Sequence, residues 1–411
     1  MDSMADKLSR LSALRPRPGG GVFRPDATSP AGSEKLMQLL GAESRVNRLG
    51  SHILATCRFP HPLAGEMDYR AVRLIASGPV EELCDPGRWL FLDTETTGLA
   101  GGTGTYAFLV GLAWWERDSF VVEQYFMREH GEEPSMLHGL LERFSRRPVL
   151  VTFNGKSFDW PLLQTRFQMR RLGTVQEPSA HLDFLHPARL LWRRCLESVA
   201  LAQLERHVLG LDRGQDIPSE GIPRRYFDFL RGGPPEEMAE VFRHNRLDLC
   251  GLASLALHMI RILADPENCA GQAEELLGVS RLLQRRGEER LAGQLYRKAL
   301  DAGLPKDVEP FARRELALLA KRGRDFELSN ALWEKLLSDS AEGLRAYEQL
   351  AIYYEHYARM PQRAAELSRE ALVSLQEALH AGRMPSRQYI QWHGSFQHRL
   401  NRLTAKLAGN R

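Results

Sequence analysis

The run Leu90-Phe91-Leu92-Asp93-Thr94-Glu95 constrains this chain more than any other stretch. Three apolar residues lead straight into two carboxylates two positions apart. Side chains on a strand alternate between its faces, so Asp93 and Glu95 share one face. Residues 96–104 are rich in threonine and glycine and read as a loop. The pair therefore sits at the carboxyl end of its strand, where open α/β sheets place their sites. Adjacent carboxylates repel each other unless a cation lies between them, and hard oxygen ligands suit Mg²⁺ or Mn²⁺. The stretch points to a divalent-metal site at the end of a buried strand. A turn-capping role for Asp93 and Thr94 is the competing reading. An aspartic-protease reading fails because Glu95 stands where glycine is needed. The glycines from Gly98 to Gly104 lack the Gly-Lys-Ser/Thr ending of a phosphate loop.

Around this strand the pattern predicts an α/β fold. Residues 89–93, 106–115 and 119–126 read as strands, with Glu116-Arg117-Asp118 as the reversal between the last two. That makes an antiparallel meander. Helical spacing follows at 134–144, a strand at 149–153, a helix at 158–171 and a strand at 181–185. Helices are expected at 187–193, 199–208, 223–230 and 235–263. Three antiparallel strands followed by strands alternating with helices make a mixed sheet flanked by helices.

The flanking regions differ in character. Residues 1–33 are rich in Arg, Pro, Gly and Ser and are expected to be a disordered tail. Residues 34–87 read as a lead-in, with a short helix at 33–40 and strand-like pieces at 51–57 and 71–75. After residue 263 strands vanish. Leu300, Leu337 and Leu372 end similar segments, spaced close to a tetratricopeptide period of about 34 residues. Arg285-Arg286-Gly287 and Lys321-Arg322-Gly323 are expected as turns within the units. The competing reading of 264–411 is an ordinary helical bundle. In either form its surface is a candidate site for a protein partner.

A net charge of +3 over 411 residues gives no global basic field, so nucleic-acid contacts would come from local patches. Five scattered cysteines suggest reduced thiols in a cytoplasmic protein. No apolar run approaches the roughly 18 residues that span a bilayer, so no membrane association is expected.

Two further stretches carry chemistry. Asn154-Gly-Lys156-Ser-Phe-Asp159 follows an apolar strand and delivers a carboxylate to the start of a helix, where it also fits a cap. His244-Asn-Arg-Leu-Asp248 lies within a helical pattern and puts both ends on one helix face. With Asp93-Thr-Glu95-Thr-Thr97-Gly, this ordered set resembles the ribonuclease-H-like exonuclease superfamily, whose sites hold four acidic residues. Within it, the chain is similar to the bacterial YprB-like branch in His181-Leu-Asp183-Phe-Leu-His-Pro, Asp216-Ile-Pro and Ile222-Pro. The resemblance covers about residues 88–260, with the helical-repeat tail beyond.

The resemblance implies a metal-dependent nuclease acting on DNA or RNA, a 3′–5′ exonuclease with two Mg²⁺ or Mn²⁺ ions. Asp93, Glu95, Asp159 and Asp248 would hold the ions. His244 would be the general base. It lies four residues before Asp248, where histidine-type members have five. Thr97, Asn154 and Lys156 would touch phosphates, and Asp183 is either an outer partner or a strand-end brace. Arg166, Arg170 and Arg171, and Arg224 with Arg225, are candidate phosphate contacts or solvated faces. Trp114, Trp115 and Tyr106 either stack bases or belong to the core. The alternative class is a non-catalytic scaffold with a nuclease-like fold that binds nucleic acid or protein.

Overall fold

Alternation within Trp89-Leu-Phe-Leu sends Trp89 and Phe91 to one side of a strand and Leu90 and Leu92 to the other, and all four are buried. A strand buried on both faces must be central. In the computed structural model, which describes residues 30–60, 65, 67–98, 104–173, 175–339 and 342–409, this strand lies inside a seven-stranded sheet. The chain enters through helix α1 (Pro30–Leu40) and strands β1 (Glu43–Asn47) and β2 (Gly50–Pro60), then helix α2 (Tyr69–Arg73). Strands β3 (Trp89–Thr96), β4 (Ala107–Glu116) and β5 (Ser119–Phe126) form the expected meander. Next come helix α3 (Glu133–Arg146), strand β6 (Val149–Thr152), helix α4 (Asp159–Met169) and strand β7 (Ala180–Asp183). The order is β1-β2-β5-β4-β3-β6-β7, with β6 and β7 parallel to β3 and the other pairings antiparallel. The α/β mixed sheet is therefore as the sequence predicts.

One expectation for residues 34–87 is corrected and another is met. The stretch 71–75 is not strand-like: Asp68 accepts the Ala71 N–H and starts helix α2. Ala71, Val72, Leu74 and Ile75 are all buried, a pattern that a short helix and a short strand share. The other stretch, 51–57, belongs to β2, which pairs with β5 from Ile53↔Phe126 to Pro60↔Ser119 and so widens the same sheet. The arginine-rich tail falls largely on residues 1–29, outside the described residues, as do the loop residues 99–103.

Helices α5 (Leu185–Trp192), α6 (Leu201–His207), α7 (Ile222–Leu230) and α8 (Pro235–Ala264) complete the sheet domain. On one face, Leu90 and Leu92 pack with Phe108, Trp114 and Tyr125 beneath α3, α4 and α7. On the other, Trp89 and Phe91 pack with Trp115 and Phe120 beneath α5 and the second half of α8. The first half of α8 joins the former cluster through Met238, Val241 and Phe242. Its second half joins the latter through Leu249 and Leu252. The middle of α8, Asn245–Asp248, thus falls where the helix passes from one core to the other. By length and composition α8 is apolar enough to cross a membrane, which corrects the expectation that no stretch approaches a span. Burial between the two cores accounts for that composition. Trp114 and Trp115 are both core residues, 3% and 2% exposed.

Beyond residue 270 the chain is helical: α9 (Ala273–Arg285), α10 (Glu289–Asp301), α11 (Glu309–Arg322), α12 (Phe326–Glu334), α13 (Gly343–His356), α14 (Pro361–His380) and α15 (Ser386–Gly409). The expected turns separate α9 from α10 and α11 from α12, with Gly287 and Arg324 at positive φ. Helix α9 lies directly on α5. A Cβ at Gly278 would come within 2.4 Å of the Leu191 Cα, so this glycine allows backbone-to-backbone approach. Trp192 donates its indole N–H to Glu275 at 2.7 Å across the same joint.

Candidate functional site

Beyond Phe91, strand β3 loses its parallel partner, because the β3–β6 register ends at Phe91↔Val151. Its antiparallel partner continues, with Asp93 opposite Gly111 and Glu95 opposite Leu109, up to a bulge between Glu95 and Thr96. The one-sided strand end leaves a pit into which the start of α4 and the middle of α8 project.

Each carboxylate reaches the pit by its own route. Asp93 is fixed by Asn245, whose side-chain amide donates to its Oδ2 at 2.7 Å and to its backbone carbonyl at 3.3 Å. Asn245 is held in turn by Gln124, which donates to its Oδ1 at 2.8 Å and to the Phe242 carbonyl at 2.7 Å. The contact depends on Gly111: a Cβ there would sit 2.2 Å from the Asn245 Oδ1 and 2.7 Å from Leu249. Asp159 is the first residue of α4, but it caps nothing; Phe158 is the N-cap. Its carboxylate accepts the Thr94 hydroxyl instead, from the strand's opposite face.

The charge state shows how closely these groups meet. Burial and then the Asp248, Glu95 and Asp159 charges hold Asp93 well above the usual carboxylate range, against the opposing Asn245 bond. Burial, Asp248, Asp159 and Asp216 push Glu95 up to about 8. Burial pushes Asp159 up to about 6 despite the Thr94 hydroxyl and the backbone N–H groups of Thr94 and Asp159. Three carboxylates here lack a cationic side chain among the described residues.

Asp248 differs. Its Oδ1 lies 2.6 Å from Arg213, and its Oδ2 lies 3.3 Å from the His244 Nε2. The four-residue spacing noted in the sequence therefore does bring His244 to the pit. Glu95, His244 and Asp248 offer ligand atoms within 4.8 Å of one another, the spread of ligands around one ion. Asp93 and Asp159 stand beside this group electrostatically without belonging to it. The His244 Nδ1 faces Asp216 at 2.9 Å, and Ser219 Oγ is 3.4 Å from Nε2. Arg213 binds Asp216 at 3.0 Å and, through a second edge, Glu205 at 2.5 Å. Glu205 reaches it only because Gly251 of α8 has no side chain; a Cβ would be 1.5 Å from its Oε1.

Gln124, Asn245, Arg213 and Asp216 are the site residues that no expected role covered. Asn245 and Asp216 stood inside quoted motifs, but their task is visible only in three dimensions.

The expected phosphate contacts divide. Asp183 proves to be the strand-end brace: it accepts the backbone N–H groups of Asn154 and Lys156 at 2.9 Å each and of Leu185 at 3.1 Å. This locks the turn before Asp159, with Asn154 at φ +73°. The Lys156 side chain is exposed. The Thr97 hydroxyl accepts the Tyr106 N–H at 3.0 Å and so closes the base of the glycine-rich loop. Arg166 and Arg170 are corrected: both bind Glu133, and Arg166 also stacks on Tyr106 at 4.0 Å. They brace α3 against α4, Arg166 from within the core and Arg170 from its rim. Arg224 is exposed beside Asp228, Arg225 lies 3.4 Å from Glu237, and Arg171 is exposed.

A pit lined by hard oxygen donors, with one imidazole and carboxylates whose pKa values are raised by burial and by one another, fits divalent cations. Residues 90–260 match the family model described as the RNase H superfamily. Over 285 residues the chain is 31% identical to the protein YprB of Bacillus subtilis (strain 168), covering 69% of this chain and 68% of that one. Among solved structures, the family B DNA polymerase of the hyperthermophilic archaeon Pyrobaculum calidifontis overlaps with a TM-score of 0.35 and 16% identity. That overlap takes in 70% of this chain and 35% of the polymerase, so the chain spans about a third of the polymerase's length.

Proposed function

We propose that this chain, which belongs to the RNase H superfamily and within it to the branch of YprB, is a nuclease that hydrolyses phosphodiester bonds of DNA or RNA. In the finer form of the reading it removes nucleotides from a 3′ end. Asp93, Glu95, Asp159 and Asp248 would hold two divalent ions, Mg²⁺ or Mn²⁺. Such ions supply Lewis-acid stabilisation of the charge that develops on a phosphodiester during in-line displacement.

The side chains supply the rest. Asp216 would accept the Nδ1 proton of His244 and so turn Nε2 towards Asp248, where it would take a proton from the attacking water. Arg213 holds Asp216 and Asp248 in register across the pit. Thr94 and Asn245 orient Asp159 and Asp93 through neutral donors, so the negative charge is kept for cations. The helical tail is read as tetratricopeptide-like.

One observation carries this reading: three carboxylates from β3 and α4 meet in a pit without a cationic side chain, next to Asp248 and a histidine aligned by Asp216. The test is titration calorimetry with Mn²⁺, paired with nucleotide release from end-labelled single strands. Wild type should bind Mn²⁺ and shorten 3′ ends. Asp93→Ala should cut the rate by roughly two to three orders of magnitude, and Asp248→Asn should weaken the heat of binding. Equal nucleotide release by wild type and Asp93→Ala, or a heat that Asp248→Asn leaves unchanged, would end the account and leave the binding scaffold in its place.

A further inference from the structure

The joint between the sheet domain and the helical tail gathers positive charge that the described residues pair only in part. Three guanidiniums surround the ring of Phe311 on α11: Arg194, just past α5, at 4.8 Å, Arg281 of α9 at 5.4 Å and Arg314 of α11 at 4.8 Å. Arg314 is engaged by Glu315 at 2.8 Å and Glu342 at 2.5 Å. Among the described residues Arg194 and Arg281 have neither an ion pair nor a hydrogen bond. Arg281 is half-buried, and burial followed by the Arg194 and Arg285 charges lowers its pKa. Like charges placed together at this cost, with the adjacent glutamates turned to Arg314, call for an anion.

The charge continues toward the carboxylate pit. Arg285 lies one helical turn beyond Arg281 on the same face of α9. Arg286 is fixed by two neutral acceptors, the carbonyls of Leu74 at 2.9 Å and Ile75 at 3.0 Å, which hold its side chain without cancelling its charge. Lys156, three residues before Asp159, is exposed and stands near enough to Arg286 for the two charges to interact, with Asp183 the stronger influence. From Arg281 to Arg286 the helix rises about 7.5 Å, room for roughly two phosphates of one strand.

We propose that Lys156, Arg286, Arg285, Arg281 and Arg194 form a track for the phosphodiester backbone of a nucleic acid, so that the first helix of the tail is part of the substrate-binding surface. The ligand class rests on the nuclease reading of the neighbouring pit. The track makes the joint at Gly278 a working contact, because α9 must be docked on α5 for the arginines to line up.

The test uses the full chain with metal chelated, so that nothing is cut. A fluorescein-labelled oligothymidylate is titrated by fluorescence anisotropy at low and at moderate potassium chloride, for wild type and for the double variant Arg194→Gln, Arg281→Gln. Hydrolysis of a small diester, thymidine 5′-(p-nitrophenyl phosphate), is followed with Mn²⁺ in parallel. The variant should bind about tenfold more weakly, and its logarithmic salt slope should be shallower by about 1.4, two phosphates' worth for a single strand. Its small-diester rate should match wild type, since that substrate does not reach α9. Its melting temperature should hold or rise, because like-charge repulsion is relieved; a purely structural role predicts a fall. Unchanged affinity and slope, or a lowered melting temperature, would overturn the track. A wild type that shows the salt-dependent binding but leaves the small diester intact with Mn²⁺ would instead sink the nuclease reading and keep the track.

Discussion

The carboxylate buried at the start of α3 and the half-buried carboxylates at the end of β3 are treated in opposite ways. Glu133, at the start of α3, is 1% exposed and is met by Arg166, itself 2% exposed, through a two-pronged contact of 2.5 and 2.7 Å, with Arg170 added from the rim. At the end of β3, Asp93, Glu95 and Asp159 are given a carboxamide, a hydroxyl and one another. Two guanidiniums go to one glutamate, and among the described residues none goes to these three. The first arrangement serves stability. The second keeps charge unsatisfied, as a cation-binding centre requires.

The largest effect that separates them is on stability. Glu133→Gln strands two arginines, one fully buried, and should cost about 3–5 kcal/mol in urea denaturation. Asp93→Asn, at a half-buried position, should cost little or raise the melting temperature, because it removes repulsion from Asp248, Glu95 and Asp159. If the two variants lost similar stability, the distinction between a structural and a functional carboxylate would collapse.

A mid-sized effect tests how the pit is positioned. Gly111→Ala puts a methyl group where the Asn245 carboxamide lies. Overpacking should cost about 1–3 kcal/mol, and pushing Asn245 off Asp93 should weaken Mn²⁺ binding by about 10- to 100-fold, as the loss of an outer hydrogen-bond partner does. Calorimetry and melting on the same preparation read both. A stability loss with unaltered Mn²⁺ affinity would show that Asn245 does not orient Asp93.

This variant also marks where sequence reading stops. Strand β3 and the helix of His244 were legible because periodicity and local order define them, and the four acidic positions because their motifs resemble those of a known superfamily. Gly111 was not, since a glycine within an apolar strand carries no sign of what approaches it across 134 residues. Arg166 and Arg213 show the same limit in reverse. On a helix pattern Arg166 looked solvated, and only the packing of α3 on α4 puts Glu133 beside it. Arg213 sits in a loop without periodicity, and its partners come from α6, α8 and the same loop. Strand β1 is exposed along nearly its whole length, so no apolar alternation announced it. What fixes a strand of that kind is its pairing with β2.

The smallest effect is a pH dependence, and its sign sharpens the comparison. Glu95 is raised from 4.5 to about 8 and Asp159 from 3.8 to about 6. A carboxyl group that keeps its proton longer in the fold than in the unfolded chain favours the fold while both states hold the proton, and that advantage is lost as pH rises through the folded value. Without metal, stability should therefore fall from about pH 3.8 to 8, Asp159 contributing up to about pH 6 and Glu95 from 4.5 to about 8. Glu95→Gln should flatten the upper part of the decline. Mn²⁺ should restore at pH 8 what the chelated protein loses, because the cation replaces the protons that the carboxylates no longer hold. Melting temperatures across this range, with chelator and with Mn²⁺, read all three effects. A metal-free profile that rises with pH, as it would if the pit carboxylates were paired with guanidiniums, would show that the charge at the end of β3 is already balanced within the fold.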